Sequence, residues 1–267
     1  MKTILITGST DGIGLETAKM LTAIGQKVLL HGRKPEKLER VMQELSCDGF
    51  IADLSRLKSA VELADAVEKK YQRIDVLINN AGVFSTEFPR TAEGLDARFA
   101  VNTIAPYLLT KRLLPLLGTT GRVVSLSSAA QSTVSLDALK GNTLNLTAGS
   151  AYAQSKLALT MWSNHLAAQL GKKGPVLAAV NPGSMLGSKM VKEAYGVVGG
   201  DIKIGADILT RAAVSAEFDD ASGRYFDNDR GIFASPHPDA LDSQLNAQVV
   251  EVIEGILAKA GIQQAGK

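Results

Sequence analysis

The 267-residue chain is 45% hydrophobic and 21% charged, which excludes a disordered or fibrous protein and leaves room for one large α/β domain with a complete core. Its 29 Lys and Arg against 27 Asp and Glu give a formal charge of +2, no electrostatic footprint for nucleic acid or an anionic membrane, so neither partner is expected. Cys47 is the only cysteine and cannot build a disulfide framework, no apolar run is long enough to span a bilayer, and Met1-Lys2 leads directly into a strand pattern, so a cytoplasmic protein is expected.

Short β-branched or leucine-rich runs alternate with longer stretches of helical period, the pattern of a parallel sheet covered by helices on both faces. Strands are predicted at residues 3–7, 27–31, 49–52, 75–79, 122–127, 176–181 and, briefly, 224–226, so a seven-stranded, doubly wound α/β fold of Rossmann type is expected. No linker, repeat or low-complexity block divides residues 1–267, which read as a single domain.

The first strand ends in Thr7-Gly8-Ser9-Thr10-Asp11-Gly12-Ile13-Gly14, followed by a helical pattern. Glycines let such a turn approach a pyrophosphate closely, and the unpaired amides of the new helix favour an anion. The second strand runs into His31-Gly32-Arg33-Lys34. An acidic residue at such a strand end bonds the ribose 2′-hydroxyl of NAD, whereas an arginine accommodates the 2′-phosphate of NADP. Gly32 and Arg33 therefore favour NADP(H) over NAD(H), while Asp11, an acid in the glycine turn, cuts the other way unless it caps the helix.

Leu57, Ala60, Val61, Ala64, Val67 and Tyr71 recur at helical spacing before the fourth strand, which opens into Asn79-Asn80-Ala81-Gly82. Asn102 lies on a later helical stretch with Pro106 four residues on. A proline there has no N–H for the carbonyl of Asn102 and kinks the helix. Ser127-Ser128 close the fifth strand, and Tyr152 and Lys156 share one helix face four residues apart. An ammonium near a phenol favours the phenolate and lowers its pKa from about 10 toward the range useful in acid–base catalysis. His31, His165 and His237 have no metal-ligand spacing, and no metal site is expected.

Taken in order, Thr7-Gly8-x-x-x-Gly12-Ile13-Gly14, Asp53-Leu54, Asn80-Ala81-Gly82, Asn102, Ser128, Tyr152-x-x-x-Lys156 and Asn181-Pro182-Gly183 resemble the pattern of the short-chain dehydrogenase/reductase family along essentially the whole chain. The 24-residue step from Ser128 to Tyr152 is similar to the retinol-dehydrogenase-like and protochlorophyllide-reductase-like branches. The resemblance implies a hydride transfer between NADP(H) and an alcohol or carbonyl substrate. Ser128 would hold the substrate oxygen, Tyr152 transfer the proton, and Lys156 and Asn102, the latter through a water, replenish it. It further implies that Gly8, Ser9, Thr10, Asp11, Gly12, Ile13 and Gly14 cradle the cofactor with Arg33, Asp53, Leu54, Asn80, Ala81, Gly82, Pro182 and Gly183, Tyr152 and Lys156 also touching it. Relatives are commonly homodimers or homotetramers. A non-enzymatic NADP-binding sensor and a C=C reductase of the same fold are the alternatives.

Residues 129–149 and 184–205 are poor in regular signal. The second stretch carries Met185, Leu186, Met190, Val191, Tyr195, Val197 and Val198 among the glycines 196, 199 and 200, and reads as a lid over an apolar substrate. Lys189 and Lys192 allow instead a contact to phosphates or to an acidic substrate. Near the end, Leu241, Leu245, Val249, Val252, Ile253, Ile256 and Leu257 predict a helix packed by one face.

Overall fold

The computed structural model describes residues 1–142 and 146–262, without the side chains of Ala194 and Tyr195. The apolar runs become an eight-stranded sheet of order β3-β2-β1-β4-β5-β6-β7-β8. Its strands are β1 (Thr3–Ile6), β2 (Lys27–Gly32), β3 (Asp48–Ile51), β4 (Val76–Asn79), β5 (Arg122–Leu126), β6 (Val176–Asn181), β7 (Arg224–Asp227) and β8 (Ile232–Ala234). The first seven are parallel and match the expected strands to within a residue or so. The eighth, beyond the expected seven, turns back antiparallel on β7 as a three-residue edge.

Ten helices, three of them of four residues or fewer or confined to a loop insertion, follow in the described chain: α1 (Gly12–Ala23), α2 (Pro35–Leu45), α3 (Leu57–Lys70), α4 (Ala97–Phe99), α5 (Ala105–Leu117), α6 (Leu136–Leu139), α7 (Ala148–Leu170), α8 (Lys189–Tyr195), α9 (Lys203–Val214) and α10 (Ser243–Lys259). Successive strand residues point to opposite faces, so the central strands need apolar side chains throughout. Ile4 and Ile6 pack with Ala18 and Leu21 of α1, Leu38 of α2 and Ile208 of α9, whereas Leu5 and Leu77 pack toward α3, α5, α7 and α10 on the other side. The expected C-terminal helix is α10, started by Asp242, whose carboxylate accepts from the amides of Gln244 and Leu245.

The proline after Asn102 has the local effect its chemistry dictates. Pro106 sits in the first turn of α5, and the residues before it, Ala100–Ile104, form a π-helical turn closed by the Ala105 amide bonding Ala100 O. Of the two irregular stretches, 129–149 contains α6, with residues 143–145 outside the described residues, and 184–205 contains α8 and the start of α9.

Strand order reverses between β1 and β4. Ligands of open α/β sheets bind in the crevice at such a switch point, outside the carboxyl ends of the strands. The glycine turn after β1 and Asn80-Ala81-Gly82 after β4 face each other there.

Candidate active site

The two loops at the switch point are bonded into one unit. Thr7 Oγ1 accepts from the amides of Asn80 and Ala81, both at 3.0 Å, and Asn80 Nδ2 donates to the carbonyls of Thr7 at 2.8 Å and Gly8 at 3.0 Å. That closeness is why glycine is needed. Gly8 has φ +67° and a Cβ on it would lie 2.9 Å from Cα of Ala81, while a Cβ on Gly14 would lie 2.4 Å from the carbonyl oxygen of Gly8. The amides at the head of α1, those of Gly12, Ile13 and Gly14 among them, have no intrahelical acceptor. The Gly12 amide is taken by the Asp11 carboxylate; the first turn itself carries no acidic side chain, so the Ile13 and Gly14 amides suit a phosphate. Ile13 packs toward Gly205, where a Cβ would lie 3.1 Å from its Cδ1.

Ser9 is turned inward: its hydroxyl accepts from the amide of His31 at 2.9 Å. Thr10 stands against Gly32, where a Cβ would lie 2.5 Å from its methyl. Asp11 caps the start of α1 through the Gly12 amide at 2.9 Å and pairs with Lys37 of α2 at 2.7 Å. The Lys37 hydrogen bond chiefly holds the Asp11 carboxyl below its usual range. Arg33 and Lys34, which follow Gly32 at the end of β2, are exposed. After β3, Asp53 is half-buried and accepts from the amide and hydroxyl of Ser55 at 3.0 and 2.7 Å, the turn role its position allows, and Leu54 is buried.

Lys156 carries a buried charge at the other end of the crevice. It lies on α7, buried, with Nζ donating to the carbonyl of Leu126 at 2.7 Å, and desolvation lowers its pKa from 10.5 to about 8. Two of its three donors remain for other partners. Nζ lies 5.7 Å from the ring centre of half-buried Tyr152, and the Phe84 ring lies 5.1 Å from the Tyr152 ring. A Cβ on Gly82 would lie 3.4 Å from Asn102 Oδ1 and 3.6 Å from Lys156 Nζ, so these three residues meet at one point. The Asn102 side chain is spoken for: Oδ1 accepts from the Val83 amide at 2.8 Å and Nδ2 donates to Val83 O and Ser155 Oγ, both at 3.0 Å.

The two serines after β5 separate cleanly. Ser127 is buried against α7, its hydroxyl 2.7 Å from that of Thr160 and 3.3 Å from Lys156 O. Ser128 is half-buried, and its Oγ accepts from the Ala130 amide at 3.1 Å, which leaves the hydroxyl proton to donate. After β6, Pro182 leads into Gly183 at φ +121°, beside Leu186. Ser188 is used locally, its hydroxyl capping α8 through the Val191 amide at 3.2 Å.

Sequence reasoning passed over three groups. His31, read as a scattered histidine, accepts from the Gly8 amide at 2.9 Å and bonds Ala52 O at 3.2 Å. Lys37 carries no signal until α2 brings it to Asp11. Asp229 on the β7–β8 turn accepts from the amide and hydroxyl of Ser184. Among the described residues no three His, Cys, Asp or Glu side chains form a metal-binding group, and no helix is long and apolar enough to cross a membrane.

Fold and loop geometry together define a Rossmann-type α/β protein with a tight glycine turn at its switch point, and comparison with known proteins narrows this to an oxidoreductase. Residues 2–196 match the family model described as short chain dehydrogenase. Human retinol dehydrogenase 13 is 30% identical over 91% of this chain and 81% of its own. A solved protein from Mycobacterium paratuberculosis superposes with a TM-score of 0.82 at 26% identity, over 97% of this chain and 94% of that one. A short chain dehydrogenase from Burkholderia cenocepacia, solved in complex with NADP, gives 0.69 at 27% identity over 86% of this chain and 97% of that one. The chain belongs to the short-chain dehydrogenase/reductase family, with the retinol-dehydrogenase-like relatives its sequence resembles.

Proposed function

We propose that this oxidoreductase uses NADP(H) to interconvert an apolar alcohol and its carbonyl compound, with Tyr152 transferring the proton. The observation that carries this reading is the buried ammonium of Lys156 beside the Tyr152 ring, held by one carbonyl with donors to spare. Burying such a charge is costly, and perturbed groups of this kind cluster where chemistry is done.

When bound, NADP(H) supplies or receives the hydride; the chain's own groups handle the oxygen and its proton. Ser128 donates a hydrogen bond to the substrate oxygen and steadies the charge developing there. Tyr152 gives up its hydroxyl proton to that oxygen or takes it back, favoured by the nearby ammonium. Lys156 would hold the cofactor ribose and, with a water held by the Asn102 carbonyl at the π-turn, return a proton to Tyr152. The glycine turn 8–14 with Asn80, Ala81 and Gly82 holds the pyrophosphate and adenosine half, Asp53 and Leu54 border the adenine, and Pro182 and Gly183 border the nicotinamide.

Preference for NADP over NAD is supported by space and charge at the end of β2. The place where an acid would bind a ribose 2′-hydroxyl is Gly32, and the Thr10 methyl fills the space a side chain there would need. Arg33 stands exposed next to it, and Asp11, whose charge would repel a phosphate, is tied to Lys37. The NADP complex of the Burkholderia relative agrees with this choice.

An apolar substrate is supported by the rim of 184–205, where Met185, Val197 and Val198 are exposed, and by retinol, the alcohol named for the human relative. We take this segment as a lid. The deciding experiment is a panel of alcohols and carbonyls with NADP(H) and, in parallel, NAD(H), followed by absorbance of the reduced cofactor. Turnover of apolar members with NADP(H) is expected; turnover with NAD(H) alone, or of anionic substrates alone, refutes the cofactor or the substrate assignment respectively.

A further inference from the structure

Residues 225–229, at the end of β7 and in the turn to β8, have no part in the chemistry just described. Yet all but Phe226 are bonded to a loop of the site. The Tyr225 hydroxyl donates to the Ser128 carbonyl at 3.1 Å, and Asp227 Oδ1 accepts from Asn181 Nδ2 at 2.9 Å. Asn228 Nδ2 donates to Pro182 O at 2.9 Å and to Ile204 O at 3.4 Å. Asp229 accepts from the Ser184 amide at 2.7 Å, the Ser184 hydroxyl at 2.6 Å and Asn181 Nδ2 at 2.9 Å. One turn therefore grips the beginning of the 184–205 segment and its far end.

The segment has need of such a grip. Pro182 has no N–H to give and Gly183 is in a glycine-only conformation, so the backbone there cannot continue the sheet ladder. Hydrogen bonds to a carboxylate are shorter and roughly twice as strong as neutral ones, which makes Asp229 an effective anchor even though it is exposed. Farther out, a second tie closes the segment on itself: the Gly187 amide bonds Gly200 O at 2.7 Å and the Gly200 amide bonds Met185 O at 2.8 Å. Beyond that tie lie residues 188–198 with α8, whose Met190 methyl reaches within 3.8 Å of the point a Cβ on Gly82 would occupy.

We propose that Asn228 and Asp229 are positioning residues that fasten both ends of 184–205 to the β7–β8 turn, so that the lid moves only outboard of Gly187 and Gly200. The backbone from 181 to 187, which borders the nicotinamide, then stays in place whether the lid is open or closed. The inference rests on the lid and cofactor readings above. It adds that the hinge is not at Pro182-Gly183, and that an otherwise unassigned turn sets the geometry of the cofactor's reactive end. Tyr225 extends the same support to Ser128.

The test is hydrogen exchange on the full chain, with and without NADPH, alongside NADPH titration. In the unliganded protein slow exchange is expected at 183–187 and 200–205 and fast exchange at 188–198, the latter slowing when NADPH binds. Asp229→Ala is expected to abolish protection at 184–187 and to weaken NADPH about tenfold, the equivalent of about 1.4 kcal/mol, with the loss larger in KM for the cofactor than in kcat. Asp229→Asn keeps an acceptor for the Ser184 amide and should recover most of both. Asn228→Ala, which removes only neutral hydrogen bonds, supplies the same comparison should Asp229→Ala fold poorly, with protection lost at both ends. Protection that survives these variants, or is lost with NADPH affinity unchanged, overturns the proposal, as does fast exchange at 183–187 in the wild type. Slow exchange of 188–198 in both states would instead refute the lid reading, while the variants still decide the fastening.

Discussion

The Gly8 amide donates a hydrogen bond to Nδ1 of His31 at 2.9 Å, and Nε2 of the same ring bonds the carbonyl of Ala52 at 3.2 Å. Since Nδ1 accepts, the proton sits on Nε2, and a neutral imidazole joins the ends of β1, β2 and β3 beneath the glycine turn. Burial lowers its pKa from 6.5 to about 4. The folded chain thus binds this proton less readily than the unfolded one. The stabilisation is full above pH 6.5 and is lost as pH falls through about 4, a difference of about 3 kcal/mol. Urea unfolding across this window should show His31→Phe with a flatter acid slope, and with about 1–3 kcal/mol less stability at neutral pH because the Gly8 amide loses its acceptor. An acid slope identical to wild type would show that His31 is not the titrating group.

Tyr152→Phe removes a single oxygen from a ring held against Phe84. Turnover is expected to fall by about 10²–10⁴-fold, the usual worth of general acid–base assistance, with NADPH affinity nearly unchanged. A Phe variant with full turnover would refute Tyr152 as the proton donor.

Selection of the 2′-phosphate is expected to depend on Arg33 directly and on Lys37 through Asp11. Hydrogen bonds to charged groups contribute about 1.5–3 kcal/mol, so Arg33→Ala should weaken NADPH far more than NADH. Lys37→Ala should do the same to a smaller degree, because it leaves the Asp11 carboxylate, 2.7 Å from Lys37 in the wild type, uncompensated beside the phosphate. The double variant with Asp11→Asn should recover the loss. Equal losses for both cofactors in paired titrations would separate these residues from phosphate recognition.

What the sequence disclosed and what it concealed divide along contact range. The central strands are legible because residues such as Ile4, Leu5 and Ile6 are buried on both faces and must all be apolar. The glycine turn and the break in regular α-helix between Asn102 and Pro106 are legible because cause and effect lie within a few residues. Ile232–Ala234 escaped because a short, partly exposed edge strand carries too little pattern to register. The roles of His31 and Asp229 escaped for a different reason: Gly8 is 23 residues from the first and Ser184 is 45 from the second. A polar side chain's partner at such a distance is set by the fold and leaves no local spacing to read.

Burying Lys156 has an energetic cost that pH exposes. Its ammonium is buried against the Leu126 carbonyl, and desolvation brings its pKa from 10.5 to about 8. Because the folded pKa is the lower one, folding is penalised while the group is charged in both states, below about pH 8, and the penalty lifts as pH rises to 10.5 and the amine neutralises. The shift corresponds to about 3 kcal/mol of stability gained across that window. Lys156→Met keeps the stem and discards the charge. At neutral pH the relief is offset in part by the unpaired Leu126 carbonyl, which costs about 1–3 kcal/mol, so the neutral-pH difference alone has no fixed sign. The pH dependence does: wild type should gain on the variant by about 3 kcal/mol between pH 8 and 10.5, measured by denaturant unfolding at steps of pH. Turnover of Lys156→Met should be lost and NADPH binding weakened over the whole range, since a site that needs an ammonium trades stability for function. Parallel stability curves for the two proteins from neutral pH to 10.5 would mean that the amine is solvated in the folded state, and the electrostatic basis of the Tyr152 assignment would fall with it.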